Sequence, residues 1–203
     1  MIRRPPRSTQ GVSSAASDVY KRQFLDKDFE IKDLPYGNLN RESAASAITA
    51  FQLLSEEDID FKSIIERTNL KGRCDVIDNF ILDVSHNPAS VKNLISFVAK
   101  DYKDTKFSAI FSSMNDKDNV SIINEISHLI NEWNICSISD DRFDAESLTV
   151  LTKTLTDTKI NKLTTVYSAV ERGYHEGTPQ IVFGSFITVS EAYKALEKLK
   201  SQL

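Results

Sequence analysis

From Cys74 to the C-terminus, short β-rich runs alternate with helical stretches, and this alternation constrains the fold more than any other feature. The runs are 74–77 (CDVI), 80–84 (FILDV), 107–111 (FSAIF), 134–138 (NICSI), 163–167 (LTTVY) and 180–184 (QIVFG). Helical patterns fill 88–101, 119–132, 145–156 and 188–201. Strands separated by helices predict an α/β domain built on a mostly parallel sheet. The first two runs are too close for a helical crossover, so they are expected to pair antiparallel and to turn at Asp78-Asn79.

Upstream the pattern differs. Residues 43–54, SAASAITAFQLL, are apolar on nearly every side and predict a buried helix, with Asn40 and Ser43 where N-terminal caps would sit. Ser55 to Arg67 opens on a Ser-Glu-Glu-Asp cluster that favours a helix start, and Ile59, Phe61, Ile64 and Ile65 give it an apolar face. Leu70-Lys71-Gly72-Arg73 reads as a hinge or loop. The first 23 residues carry too little apolar content for a packed element and include the adjacent pair Pro5-Pro6. Within them, MIRRPPRST and SSAASDVYKRQ resemble translated sequencing adapter. The expected division is an artefactual or disordered segment at 1–23, a tail of one domain at 24–71, and the α/β domain at 72–203.

Composition narrows the function. A net charge of −4 gives no broad electrostatic reason to bind nucleic acid or an anionic membrane. The apolar runs fall far short of the ~20 residues of a membrane helix. Two cysteines support no disulfide framework and fit a cytoplasmic protein. No CxxC or HxxxH spacing suggests zinc, and no metal ligand is assigned in this chain.

Four motifs could carry chemistry. In ILDVSHNPASVKNL, 81–94, a strand ends at Asp83, and Asn87-Pro88 open a helix. Asp83 and His86 therefore fall at the C-terminal edge of a parallel strand, where open α/β sheets bind ligands. The plainer reading is that both brace the loop. Arg73, ten positions earlier, could clamp a phosphate, pair with Asp83, or stand exposed without a role. SSMNDKDN, 112–119, brings Asp116, Lys117 and Asp118 to the same edge, or simply caps the next helix. In VFGSFITVSEAY, 182–193, Gly184 and Ser185 end the last strand, with Thr188 or Ser190 as caps for the final helix. Arg142 could reach a carboxylate, or belong to a solvated loop.

In this order, LKGR, ILDVSHNP, SMNDKDN and VFGSFITV resemble the C-terminal domain of the dihydrofolate synthase/folylpolyglutamate synthase family, within the Mur ligase superfamily. The likeness covers about residues 30–203. It implies a Rossmann-like domain, mostly parallel with one antiparallel edge strand, preceded by the helical tail of a central ATPase domain. It also implies an ATP-dependent ligase that joins L-glutamate to dihydropteroate or a folate through an acyl phosphate, as a monomer. By the same resemblance Arg73 and Asp83 contact ATP, Asn40 or Ser43 makes a further ATP contact, His86 and Lys117 are catalytic, and Ser185 binds substrate. No GxxxxGK[ST] loop occurs in the chain, so the ligands for ATP phosphates and Mg2+ are expected in a preceding part, and the chain alone is expected to be inactive. The alternatives are another Mur-type ligase acting on peptidoglycan precursors and a non-catalytic α/β nucleotide-binding module. Arg73, Asp83 and His86 are expected to converge on one exposed edge, with Asp83→Asn leaving folding nearly intact.

Overall fold

The computed structural model describes residues 19–24, 27–32, 39 and 41–202, with side chains at Leu39 and from Ser43 onward. The chain divides into two units, one reaching Arg67 and one running from Thr68.

The first unit contains an antiparallel pair, β1 (Val19–Phe24) and β2 (Lys27–Lys32), and the helices α1 (Arg41–Leu54) and α2 (Phe61–Arg67). β1 overlaps 19–23, where the sequence predicts no regular element. Residues 1–18 lie outside the described residues. α1 buries Ala45, Ile48 and Thr49 but exposes Leu53 and Leu54, so it is one-sided rather than buried all round. Ser43 is inside α1, exposed, and not its cap; Asn40 lies outside the described residues. The Ser55 hydroxyl accepts from the Glu57 amide and so closes a turn. The helix expected there starts only at Phe61, where the Asp60 carboxylate accepts from Ser63 N–H at 3.1 Å.

The second unit is a six-stranded sheet with helices on both faces. Its strands are β3 (Asp75–Ile77), β4 (Phe80–Leu82), β5 (Phe107–Phe111), β6 (Ile130–Cys136), β7 (Lys159–Leu163) and β8 (Gln180–Phe183), in the order β3-β4-β8-β5-β6-β7. Only β3 and β4 are antiparallel, turning at Asp78-Asn79; every other pairing is parallel. The α/β sheet with one antiparallel edge strand is therefore as the sequence indicates. The helices are α3 (Pro88–Asp101), α4 (Asn119–Ile126), α5 (Ala145–Leu155), α6 (Val166–Glu176) and α7 (Phe186–Lys200).

Strand periodicity sorts the core. Ile81, Ala109, Phe111, Trp133, Ile135, Ile181 and Phe183 face α3, α4 and α5, while Phe80, Leu82, Ile110 and Val182 face α6 and α7. Burial on both faces is why these strands read as continuous apolar runs. Phe111 stacks on Phe183 at 4.6 Å and meets Trp133 edge-on at 5.5 Å, a cluster at the centre of the α3–α5 side.

Several boundaries differ from expectation, two of them markedly. The helix expected to reach 132 ends at Ile126, tightens into a 3-10 turn at Ser127–Leu129, and gives way to β6. LTTVY is not a strand: the Thr165 hydroxyl accepts from Ser168 N–H at 3.1 Å and starts α6, and the edge strand is the Lys-containing KINKL before it. Lysines on an edge discourage further pairing, so the strand lacks an apolar signature.

The half-buried Glu132 organises a polar cluster between β5, β6, β7 and α6. Its carboxylate meets Lys159 at 2.6 Å and Arg172 at 3.1 Å, and accepts from Asn161 at 2.8 Å. Burial pushes the Glu132 pKa up, but the Lys159 and Asn161 bonds and the Arg172 charge outweigh it and leave it lowered. A carboxyl with a lowered folded-state pKa stabilises the fold fully above its unfolded value of ~4.3, and this is lost as pH falls through the folded value. Urea midpoints followed from pH 6 to pH 3 should fall less steeply in Glu132→Gln than in the wild type. Parallel curves would show that Glu132 contributes nothing to acid sensitivity.

Candidate functional site

The connections fix where a site can form. α3, α4 and α5 leave the C-terminal ends of β4, β5 and β6 toward one face, whereas α7 leaves β8 toward the other. β8 lies between β4 and β5, so neighbouring strand ends send their chains to opposite faces. Such a switch point opens a crevice outside the carboxyl ends of an α/β sheet.

Three loops meet there. Gly184 N–H, after β8, donates to Ser85 O, after β4, at 2.8 Å. The Thr188 hydroxyl, in the first turn of α7, donates to Ser112 O, after β5, at 3.1 Å. Ser185 is 4% exposed; its Oγ caps α7 by accepting from Thr188 N–H at 3.1 Å. α7 therefore starts at Phe186, two residues before the expected position, because Ser185 and not Thr188 or Ser190 is the cap. The hydroxyl expected to bind substrate is occupied in capping.

Asp83 does not stand on an exposed edge, contrary to expectation. It is 5% exposed, and its carboxylate accepts four hydrogen bonds: from Cys74 N–H at 2.8 Å, Cys74 Sγ–H at 3.3 Å, Ser85 N–H at 2.8 Å, and the Ser85 hydroxyl. It turns inward because these donors surround it, so it braces the loop instead of presenting a carboxylate at an exposed edge. Burial and the Asp83 charge push the Cys74 thiol pKa up, so the thiol stays protonated and serves as a donor.

His86 remains half-buried at the crevice. Its Nδ1 lies 2.9 Å from Val84 O, so Nδ1 carries the hydrogen in that bond. Its ring lies 5.9 Å from that of Phe186, which is 62% exposed. Asn87 caps α3, with Pro88 as first helical residue. Arg73 is half-buried, and among the described residues its guanidinium has no hydrogen-bond or ion-pair partner. Its turn joins the same loop system: Val84 N–H donates to Gly72 O at 2.9 Å.

Arg73, Asp83, His86 and Ser185 thus share one loop system. Lys117 stands on the β5 loop, 3.6 Å from Asp116. Arg142 is spent on Asp140 through Nε at 3.0 Å and a second nitrogen at 2.9 Å, which holds the Asp140 carboxyl down at about 2. Among the described residues no group of three His, Cys, Asp or Glu side chains could hold a metal ion. No helix among them is long and apolar enough to cross a membrane. Sequence reasoning missed Tyr193 and Asp75, which grip the Arg73 turn, and Phe186. Tyr193 sits among the apolar positions of α7 and carries no local signal of its partners.

No protein-family model matches the chain. It is 26% identical over 176 residues to a dihydrofolate synthase/folylpolyglutamate synthase of Buchnera aphidicola (subsp. Schizaphis graminum), covering 83% of this chain and 42% of that protein. The fold superposes on E. coli FolC in complex with DHPP and ADP with a TM-score of 0.74 at 20% identity, covering 84% of this chain and 42% of that one. It superposes on the bifunctional folylpolyglutamate synthase/dihydrofolate synthase of Yersinia pestis, complexed with AMPPNP and Mn, with a TM-score of 0.71 at 24% identity, covering 83% and 42%. The chain spans about two fifths of the length of these relatives. By sequence and by fold, the chain is similar to the C-terminal part of dihydrofolate synthase/folylpolyglutamate synthases.

Proposed function

We propose that this chain supplies the C-terminal domain of an ATP-dependent ligase that adds L-glutamate to dihydropteroate or a tetrahydrofolate. One observation carries the reading: an Arg73 guanidinium with no partner among the described residues is presented by a clamped turn at the switch point of a sheet that superposes on nucleotide-bound ligases. In the reaction, ATP transfers its terminal phosphoryl group to a substrate carboxylate. The glutamate amine attacks the acyl phosphate, the C–N bond forms, the acyl C–O bond breaks, and phosphate leaves with that oxygen while the amine nitrogen gives up a proton. Charge builds on the phosphoryl oxygens in the first step, and a fixed guanidinium neutralises it without reorganising. His86, with Nε2 free to accept or carry a proton, is placed to orient the phosphoryl group or the amine. Asp83 acts by holding the turn. Lys117, on the β5 loop, is a second cation for the same crevice. ATP held by a central domain, with Mg2+ bound there, is the counterpart this domain closes over.

Titration of the chain with ADP, followed by amide NMR, tests the reading. Shifts are expected at Arg73, His86 and Gly184–Phe186, and Arg73→Ala should weaken binding by about tenfold, one charge-assisted contact. Shifts confined to other surfaces, or equal affinity in Arg73→Ala, would overturn it. Without a phosphate loop in its sequence, the chain alone should form no product from ATP, glutamate and folate.

A further inference from the structure

Arg73 stands between two residues in the left-handed region, Gly72 at φ +72° and Cys74 at φ +51°. For a cysteine this conformation is strained, and it persists only where the surroundings over-determine it. The turn is held from both sides. On one side Asp83 takes the N–H and S–H of Cys74. On the other, Gly72 N–H is shared between the Asp75 carboxylate and the Tyr193 hydroxyl oxygen, each at 2.8 Å, and the Tyr193 hydroxyl donates in turn to the same Asp75 oxygen. Space leaves little freedom: a Cβ on Gly72 would lie 2.9 Å from Val84 Cγ1.

Tyr193 and Arg73 lie on elements far apart in sequence, and Tyr193 belongs to the helix whose first residues line the crevice. α7 therefore does two things: it sets Phe186 beside His86 at its start, and two turns later it fastens the Arg73 turn. We infer that Tyr193 and Asp75 are positioning residues for Arg73, which fix the root of its side chain so that the guanidinium meets a phosphate without first ordering the turn. This deepens the phosphate-binding reading of Arg73 and rests on it. Neither residue needs to touch the ligand.

The test is a double-mutant cycle on the full chain, with ADP as the probe and calorimetry as the readout. Tyr193→Phe keeps the ring but loses both hydrogen bonds. It is expected to weaken ADP binding about tenfold when Arg73 is present and to have no effect in the Arg73→Ala background. Asp75→Asn, which keeps an acceptor for both donors, should bind nearly as the wild type, and Asp75→Ala should match Tyr193→Phe. Gly72 amide exchange should quicken in Tyr193→Phe and Asp75→Ala. Unchanged affinity in Tyr193→Phe, or the same loss with and without Arg73, would overturn the positioning role while leaving Arg73 as a ligand. Wild-type affinity in Arg73→Ala, or no ADP binding by the wild type, would instead bring down the site reading itself, and this inference with it.

Discussion

Asp83→Ala is expected to cost about 2–5 kcal/mol of stability, because it strands two backbone donors that the fold cannot re-satisfy. Ser85 is 1% exposed, and its N–H, together with that of Cys74, points at the Asp83 carboxylate. Removing the carboxylate leaves both without a partner and releases the left-handed Cys74 that its bonds hold in place. Asp83→Asn keeps one acceptor and turns an amide N–H₂ toward the donors on the other side, so it should lose about half as much. Urea unfolding with both variants checks this. A carboxylate serving only as a ligand contact would give unchanged midpoints and weaker nucleotide binding. A brace gives lowered midpoints, with ADP binding lost in proportion to the loosening of the Arg73 turn.

This shows where sequence reasoning stops. The strand-turn-helix logic of ILDVSHNP places Asp83 at a strand end and Asn87-Pro88 at a helix start, and both follow from local chemistry: chain direction, capping and the fixed φ of proline. Which way the Asp83 carboxylate turns is only half local. Ser85, two residues on, bonds one oxygen, and Cys74, nine residues earlier across an antiparallel turn, bonds the other. A pattern of polar residues at a strand end looks the same whether they face the ligand or each other.

The sheet itself is more legible than its edges. Strands buried on both faces, such as FSAIF and QIVF, announce themselves by unbroken apolar runs. β7 does not, because an edge strand carries lysines and a polar cluster with Glu132, while the β-branched LTTVY beside it is claimed by the Thr165 cap and becomes the start of α6. The strand order is not readable either. That β8 inserts between β4 and β5 follows from the return crossover through α6, and it alone creates the switch point that gathers Arg73, His86 and Ser185. The motifs are visible in the sequence; the reason they face one crevice is not.

Gly184 has no room for a side chain, and Gly184→Ala should be among the costliest changes in the domain. Its φ is +106°, a region open almost only to glycine. A Cβ there would lie 2.6 Å from Ser112 O and 2.7 Å from the Phe111 ring, so backbone would have to move, not the end of a flexible side chain. Phe111 is stacked on Phe183 and fully buried, so it has no room to yield. Backbone strain and overpacking each cost about 1–3 kcal/mol, and both apply, giving about 2–6 kcal/mol. Gly177→Ala is the control. Gly177 also has positive φ, +64°, as the C-cap of α6, but nothing lies within 4 Å of where an alanine methyl would stand, so only the conformational cost of about 1 kcal/mol remains. Thermal melts of the two variants separate conformation from contact. If Gly184→Ala is no worse than Gly177→Ala, the Ser112 carbonyl retreats freely and the three loops do not form a rigid crevice. If it is much worse and ADP binding falls with it, the close approach of β8 to β5 is what holds the three loops in register.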